Sequence, residues 1–169
     1  RDRALVALTL LTGARVNALA TFKLKHIDVV ENLIHQDARE VLTKGSKTFC
    51  TWFFPVDELY RTIVVEWVAY LRSELLWGLD DPLFPRTRVE PNADHEFAVA
   101  GLERQRWATT TPIRGIFKVA FERVGLPYYH PHSFRRTLGT LGQRLCRTTE
   151  EFKAWSQNLG HESVLTTFI

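Results

Sequence analysis

The sequence has 169 residues, of which 45% are hydrophobic, 12% aromatic and 24% charged. A chain of this length can bury the core of one domain, and its aromatic content excludes an intrinsically disordered protein. Its two cysteines cannot form a disulfide framework, and its apolar stretches are far shorter than the roughly 20 residues of a membrane span. The sequence opens with no signal-peptide pattern. We therefore expect a reduced, cytoplasmic protein that has no membrane association.

Positive charge is segregated along the sequence, although the net charge is only +3. Four lysines are not matched by acidic neighbours: Lys23, Lys25, Lys44 and Lys47. A second basic stretch contains four arginines and no acidic residue: Arg135, Arg136, Arg144 and Arg147. This segregation is typical of proteins that bind a polyanion.

The first part of the chain is predicted to form two helices. Apolar residues at helical spacing predict a helix over Asp2–Thr12, which Asp2 would cap and Gly13 would end. Further apolar residues on its other faces predict that this helix is buried on most sides. A second helix is expected from about Arg15 to Phe22.

A small sheet and a long helix are predicted next. Three runs favour strands, namely Asn32–Asp37, Arg39–Thr43 and Thr48–Val56. The glycine-containing turn Lys44–Lys47 is predicted to join the last two runs as a hairpin. Asp57 is expected to cap an amphipathic helix that ends near Trp77.

The second half of the chain is predicted to be helical after an irregular stretch. Within Gly78–Thr111, the polar run Arg86–Glu96 is interpreted as a surface loop. Helices are predicted over Pro112–Val124, Ser133–Leu145, Thr149–Asn158 and Glu162–Ile169. The predicted fold class is therefore α+β, mostly helical with one small antiparallel sheet, and residues 1–169 are expected to form a single domain.

The segment from His132 to Arg135 carries the clearest chemical signal. Residues three apart share a helix face, so both side chains would point the same way from the start of the predicted helix. Unpaired backbone N–H groups and the helix dipole favour an anion there, which makes this segment a candidate phosphate cradle. A histidine near a helix cap beside a surface arginine would also explain the same residues.

Three further signals are weak singly but occur in a specific order. Arg15 follows Thr12-Gly13-Ala14, lysines flank the predicted hairpin turn, and His161 follows Leu159-Gly160 and precedes Thr166-Thr167. With His132 and Arg135 between them, this order resembles the catalytic domain of the tyrosine recombinase (phage integrase) family. The resemblance covers essentially the whole chain.

The resemblance implies a set of catalytic residues around a scissile DNA phosphate. Arg15 matches the first arginine of the family, His132 and Arg135 match the His-x-x-Arg pair, and His161 matches the histidine after Leu-Gly. Lys47 is the preferred lysine, because the spacing from Ser46-Lys47-Thr48 to Pro55 resembles that of phage integrases. Lys44 remains open, because Lys44-Gly45-Ser46-Lys47 also resembles the Xer-type pattern. One departure is Ala18, where the family often has a glutamate that could support Arg15.

The resemblance also implies a function. Family members cleave and rejoin DNA through a 3′-phosphotyrosine intermediate, and the nucleophilic tyrosine follows the Leu-Gly-His histidine by about nine residues. That position would be 170, so the 169 residues are expected to be inactive alone, and the family's N-terminal DNA-clamping domain is also expected outside them. The full-length protein is expected to act on double-stranded DNA as a homo-oligomer, a tetramer. Neither a metal nor another cofactor is expected.

Two other functions remain open. A type IB topoisomerase uses a similar phosphate site but relaxes supercoils, and a non-catalytic DNA-binding module could keep the fold alone. Several basic residues are candidates for contacts to DNA phosphates outside the catalytic set: Lys23, Lys25, Lys44, Arg114, Lys118 and Arg136. Arg114 and Lys118 would share a helix face. Phosphate contacts of this kind give affinity and little sequence discrimination.

Overall fold

The first helix, α1 (Asp2–Thr12), lies at the centre of the core in the computed structural model, which describes residues 1–167. Its predicted bounds are confirmed, and most of its apolar side chains are buried, with Leu5 and Leu8 fully inaccessible. Gly13 ends it in the left-handed conformation, with φ 60°. The predicted cap is wrong, because Asp2 lies inside the first turn and accepts a 2.6 Å hydrogen bond from Arg1 Nε.

The remaining α-helices of residues 1–167 follow the predicted order with adjusted bounds. They are α2 (Val16–Leu19), α3 (Glu58–Ala69), α4 (Thr111–Arg123), α5 (His132–Leu145) and α6 (Thr149–Asn158). Asp57 caps α3 as predicted, through a 2.9 Å bond from the backbone N–H of Leu59, and α3 continues into a π-helical turn, Tyr70–Glu74. The predicted helix Glu162–Ile169 is a 3₁₀ turn, Val164–Thr166, within the described residues, and residues 168 and 169 lie outside them.

A three-stranded antiparallel sheet is present, but its pairing differs from the prediction. The strands β1 (Ile27–Asp28), β2 (Leu33–Gln36) and β3 (Phe49–Trp52) pair in the order β1-β2-β3. The predicted strand Arg39–Thr43 is wrong, because the Asp37 carbonyl accepts bonds from the N–H groups of Glu40 and Val41 and closes turns there. The turn Lys44–Lys47 therefore lies in the long β2–β3 connection and does not join the two predicted strands as a hairpin.

A second, two-stranded sheet replaces the surface loop predicted at Arg86–Glu96. It pairs β4 (Pro85–Pro91) with β5 (Phe97–Arg106) in antiparallel register. Both strands are largely exposed, so neither has the alternation of apolar and polar residues that identifies a half-buried strand. A 2.6 Å ion pair between Arg86 and Glu103 contributes to the pairing. The prediction failed because the strands pair mainly with each other and not with the core.

Hydrogen bonds bring the ends of α1, β3 and α6 together beside α5. The Phe54 N–H donates to the Leu11 carbonyl at 2.7 Å. The Asn158 side chain accepts from the Trp52 N–H at 2.8 Å and donates to the Trp52 carbonyl at 2.9 Å. A small apolar cluster of Phe54, Leu138 and Leu159 fills the space between these ends. The fold thereby places Arg15, the start of α5 and His161 on one side of the molecule.

Candidate active site

Arg135 joins the three segments that carry the predicted catalytic residues. Its side chain is only 6% exposed. Its Nη1 donates to the Gly13 carbonyl at 2.7 Å, and its Nη2 donates to the Leu159 carbonyl at 2.5 Å. The same Nη2 lies 2.9 Å from Nε2 of His161. One guanidinium therefore contacts the end of α1 and the segment after α6.

The charge of Arg135 has no acidic partner within residues 1–167. Burial is the main cause that lowers the pKa of Arg135 to about 9, and the nearby charge of Arg15 contributes to the same fall. A buried arginine normally has a carboxylate partner, because an uncompensated charge in a low-dielectric environment is unfavourable. The arrangement is therefore one that an added anion would stabilise.

Arg15 is half-buried and follows directly from the turn at Gly13. A side chain at Gly13 would place its Cβ 3.0 Å from Leu159 and 3.1 Å from the Arg135 side chain, in addition to the strain of its positive φ. Burial lowers the pKa of Arg15. Its guanidinium has no hydrogen-bond or ion-pair partner among the described residues, in keeping with the alanine at position 18.

The two predicted histidines face the same pair of arginines. Partial burial and the charges of Arg135 and Arg15 lower the pKa of His132, which lies in the first turn of α5. Burial and the same two charges lower the pKa of His161 to about 4, with smaller effects of His132 and Lys44. Both imidazoles are therefore neutral at pH 7. The structure brings together Arg15, His132, Arg135 and His161, which we call the cationic cluster.

The two candidate lysines differ in their surroundings. Lys47 forms an ion pair with Glu162, the residue after His161. Lys44 is exposed and has no ion pair in the described part of the chain, yet its charge lowers the pKa of both cluster histidines. Both lysines of the β2–β3 connection thus lie beside the cationic cluster, and their contacts leave the choice between them open.

The predicted phosphate-contact residues are not equally available. Lys23 and Lys25 both pair with Glu40 and Asp80, at 2.8 to 3.3 Å. The expectation that these lysines and Lys47 lack acidic partners is wrong, because their partners are distant in sequence and the fold brings them near.

The other candidates lie on helix surfaces. Lys118 has one long contact of 3.7 Å to Glu122, one turn further along α4. Arg114 is exposed on the same helix, as the spacing predicted. Arg136 is exposed on α5 but lines a groove with Leu10 and Phe121, on a different face of the helix from Arg135. The structure therefore does not group Arg136 with the cationic cluster.

Two hydroxyl residues linked to His161 by hydrogen bonds were not among the predicted site residues. Nδ1 of His161 lies 2.7 Å from the Thr167 hydroxyl, which in turn donates to the Ser156 hydroxyl at 2.7 Å. Thr167 belongs to the Thr-Thr pair noted after His161, whereas Ser156 had no distinguishing signal because its neighbours give no motif.

Two further findings concern ligands and membranes. Across residues 1–167, the His, Cys, Asp and Glu side chains do not gather in any group of three or more suited to a metal ion. Among the helices of the same range, none combines the length and the apolar character that crossing a bilayer requires.

The fold is that of a tyrosine recombinase catalytic domain. The model of the phage integrase family matches residues 1–169, and the chain belongs to that family. It is 27% identical over 169 residues to the tyrosine recombinase XerC of Pseudomonas fluorescens strain Pf0-1, covering all of this chain and 47% of that protein. It is also 27% identical to XerC of Lactobacillus leichmannii over 173 residues, covering 49% of it.

Solved structures share the fold. The XerA recombinase matches with a TM-score of 0.67 and 24% identity, over 99% of this chain and 51% of its own. The Tn1549 transposon integrase, solved in complex with a circular intermediate DNA, matches with a TM-score of 0.54 and 17% identity, over 98% and 52%. The chain thus spans about half the length of the curated relatives it matches.

Proposed function

We propose that this chain is the catalytic domain of a site-specific DNA recombinase or integrase, which cleaves and rejoins strands through a 3′-phosphotyrosine intermediate. The observation that carries the proposal is the cationic cluster, in which two arginines and two histidines meet without an acidic partner in the described residues. The DNA complex of the structurally similar Tn1549 integrase supports double-stranded DNA as the partner.

The cluster suits the chemistry of phosphoryl transfer. Attack on a phosphodiester builds negative charge on the non-bridging oxygens, and fixed cations stabilise that charge best where water is scarce. Arg135 is held rigidly by two carbonyls, while Arg15 keeps all its donors free for phosphate oxygens. His132 and His161 add neutral imidazoles that can form hydrogen bonds to the same group.

The departing 5′ oxygen needs a proton, and a lysine of the β2–β3 connection is the proposed donor. Lys47 would have to leave Glu162 to act, whereas Lys44 needs no partner exchange. A substrate with a sulfur atom at the 5′ bridging position distinguishes them, because a thiolate leaves without protonation. The alanine variant of the true donor is expected to cleave that substrate at the rate of the unmodified protein, and the variant of the other lysine is expected to show no selective rescue.

The nucleophile is proposed to be a tyrosine outside the described residues. Within residues 1–167 the tyrosines are engaged elsewhere: Tyr70 stacks on Trp67, Tyr128 and Tyr129 pack against Phe121, and Tyr60 lines a groove between α1 and α4. We therefore expect residues 1–169 alone to form no covalent adduct with DNA. We also propose that the full-length protein acts as a tetramer on DNA.

The test is the covalent capture of DNA by the full-length protein from a library of randomised duplexes. Each duplex carries a nick, so that cleavage nearby releases a short 5′-hydroxyl fragment and religation is prevented. Adducts surviving denaturation and phenol extraction identify the target, and Arg15→Gln is expected to abolish them. Arg3→Gln is the matched control, because Arg3 is exposed at the far end of α1. Absence of adducts with the unmodified protein would favour the non-catalytic DNA-binding module.

Strand exchange is separated from topoisomerase activity by product analysis. A plasmid that carries two copies of the captured sequence is expected to give recombinant circles. Relaxed plasmid without recombinant junctions would identify a type IB topoisomerase activity instead.

A further inference from the structure

A chain of three hydrogen bonds runs from the cationic cluster into α6. It begins at Arg135 Nη2, which lies 2.9 Å from His161 Nε2. It continues from His161 Nδ1 to the Thr167 hydroxyl at 2.7 Å, and from that hydroxyl to the Ser156 hydroxyl at 2.7 Å. Thr167 and Ser156 are 2% and 1% exposed, so water does not compete for these bonds.

The direction of each bond follows from the chemistry of the groups. A guanidinium has donors and no acceptor, so Nε2 of His161 must accept from Arg135 and carries no proton. The neutral imidazole therefore carries its proton on Nδ1 and donates it to the Thr167 oxygen. Because that oxygen accepts from His161, the proton of the Thr167 hydroxyl points to Ser156, where the structure places its acceptor.

We propose that Thr167 and Ser156 are positioning residues that fix His161 in its Nδ1–H tautomer and turn Nε2 toward Arg135. The two hydroxyls act together. The Ser156 oxygen accepts a hydrogen bond from the Thr167 hydroxyl, and this leaves the Thr167 oxygen able to accept from the ring. Nε2 of His161 then carries no proton, and its lone pair is held in a fixed direction toward Arg135.

Packing against α5 and a backbone hydrogen bond hold the two hydroxyls and His161 in position. A side chain at Gly139 of α5 would bring its Cβ 3.4 Å from the Thr167 carbonyl oxygen and 3.5 Å from the Thr167 methyl group, so α5 lies against Thr167. The Ser156 carbonyl also accepts from the His161 N–H at 3.1 Å. The histidine is thus tied to α6 through both its backbone and its ring.

Removing either hydroxyl changes the tautomer. Thr167→Val keeps the shape but leaves the Nδ1–H without an acceptor, and an unsatisfied buried donor is unfavourable. Ser156→Ala frees the Thr167 hydroxyl to donate to Nδ1, which favours a proton on Nε2. The Nε2–H of His161 would then face the N–H of Arg135, donor against donor. Both variants are expected to mix the two tautomers, whereas Thr167→Ser keeps the oxygen and the single tautomer.

The test is ¹⁵N NMR of the full-length protein labelled at histidine, with His161 assigned from the signal lost in His161→Gln. We expect the Nδ1–H tautomer in the unmodified protein and in Thr167→Ser, and a tautomer mixture in Thr167→Val and Ser156→Ala. Thr166→Val is the matched control, because Thr166 is adjacent, exposed and outside the hydrogen-bond chain. A proton on Nε2 in the unmodified protein, or a single unchanged tautomer in both variants, would overturn the proposal.

The consequence for catalysis rests on the proposed function and is measured separately. With the captured duplex, Thr167→Val and Ser156→Ala are expected to cleave about tenfold more slowly, the equivalent of one lost hydrogen bond, with unchanged DNA affinity. Thr167→Ser is expected to restore the rate. Cleavage unchanged in both variants would refute the positioning role. A protein that cleaves no DNA would refute the proposed function, while the tautomer spectra would still decide this inference.

Discussion

Replacing Arg15 with glutamine is expected to stabilise the protein while it greatly slows DNA cleavage. Within residues 1–167 the Arg15 guanidinium has no hydrogen-bond or ion-pair partner, and its positive charge repels that of the buried Arg135. Glutamine keeps most of the aliphatic stem and removes the charge. Most substitutions of partly buried residues destabilise a protein, so a gain in stability here would be a specific sign of repulsion between the two positive charges.

The magnitude follows from the pKa of Arg135. Its fall from the ordinary value of 12.5 to about 9 corresponds to about 5 kcal/mol against the charged form. Burial is the larger of the two causes, so the charge of Arg15 accounts for less than half. Because Arg15 is half-exposed, solvent screens its charge, and we expect the free energy of unfolding to rise by about 0.5–1 kcal/mol.

The assay is urea unfolding of the unmodified protein and of Arg15→Gln, with and without sodium sulfate at matched ionic strength. Sulfate is expected to stabilise the unmodified protein more than the variant, because the anion needs both arginines. Cleavage by Arg15→Gln is expected to fall on the order of 1,000-fold, as for other arginines that bind a transferring phosphoryl group. Arg135→Gln is the contrasting variant, since loss of its bonds to Gly13 and Leu159 is expected to destabilise the protein by about 2 kcal/mol.

Two outcomes would refute this reasoning. A loss of more than about 1 kcal/mol in Arg15→Gln would mean that the side chain stabilises the fold through contacts and is not opposed by Arg135. Cleavage near the rate of the unmodified protein would mean that Arg15 does not bind the reacting phosphate.

Three further predictions concern the glycines, the pH dependence and the Lys47 ion pair. Gly160→Ala is expected to lower the free energy of unfolding by about 2–3 kcal/mol, because φ is +72° and the new Cβ would lie 2.7 Å from the Phe49 ring. Gly115→Ala, in open space on α4, is expected to raise the free energy of unfolding by about 0.5–1 kcal/mol. Equal effects of the two substitutions in urea unfolding would contradict the close contact at Gly160. The pKa of His161 is about 4 in the folded protein and near 6.5 when unfolded, so the unfolded chain binds more protons between these values and stability is expected to fall as pH drops from about 7 to 4. His161→Gln should flatten this dependence, measured by unfolding at pH 7.5 and 5, and an unchanged slope would contradict the assignment. Glu162→Gln is expected to tighten duplex binding at low salt by freeing Lys47, with the gain lost at high salt in fluorescence anisotropy; a salt-independent gain would show another cause.

The helices and the cluster were predictable because their signals are local or ordered along the chain. The bounds of α1 and α6 follow from apolar spacing and end signals, and both are confirmed as predicted. The residues of the cationic cluster were found through the order of short motifs, which reflects the resemblance to the family. Their convergence around Arg135 then required only that the fold be that of the family.

The errors arose where distant segments decide the structure. The β4–β5 pair carries no periodic signal because its strands are exposed. The partners of Lys23 and Lys25 include Asp80, more than 50 residues away in sequence, so no local pattern could reveal them. The hydroxyls of Ser156 and Thr167 act only after α6 and the following turn have packed, which sequence patterns do not report.

Under the proposed function, the two hydrogen bonds from Arg135 to carbonyl groups would also determine when a reactive centre can form. Gly13 and Leu159 lie 122 and 24 positions from Arg135 in the sequence. In a nascent or partly folded chain, the segments that carry the cationic cluster are therefore far apart. Competence to break a DNA backbone would then arise only with completion of the tertiary structure. A chain that stalls during synthesis, or that unfolds, would then lack the proposed DNA-cleaving activity because its catalytic groups are no longer held together.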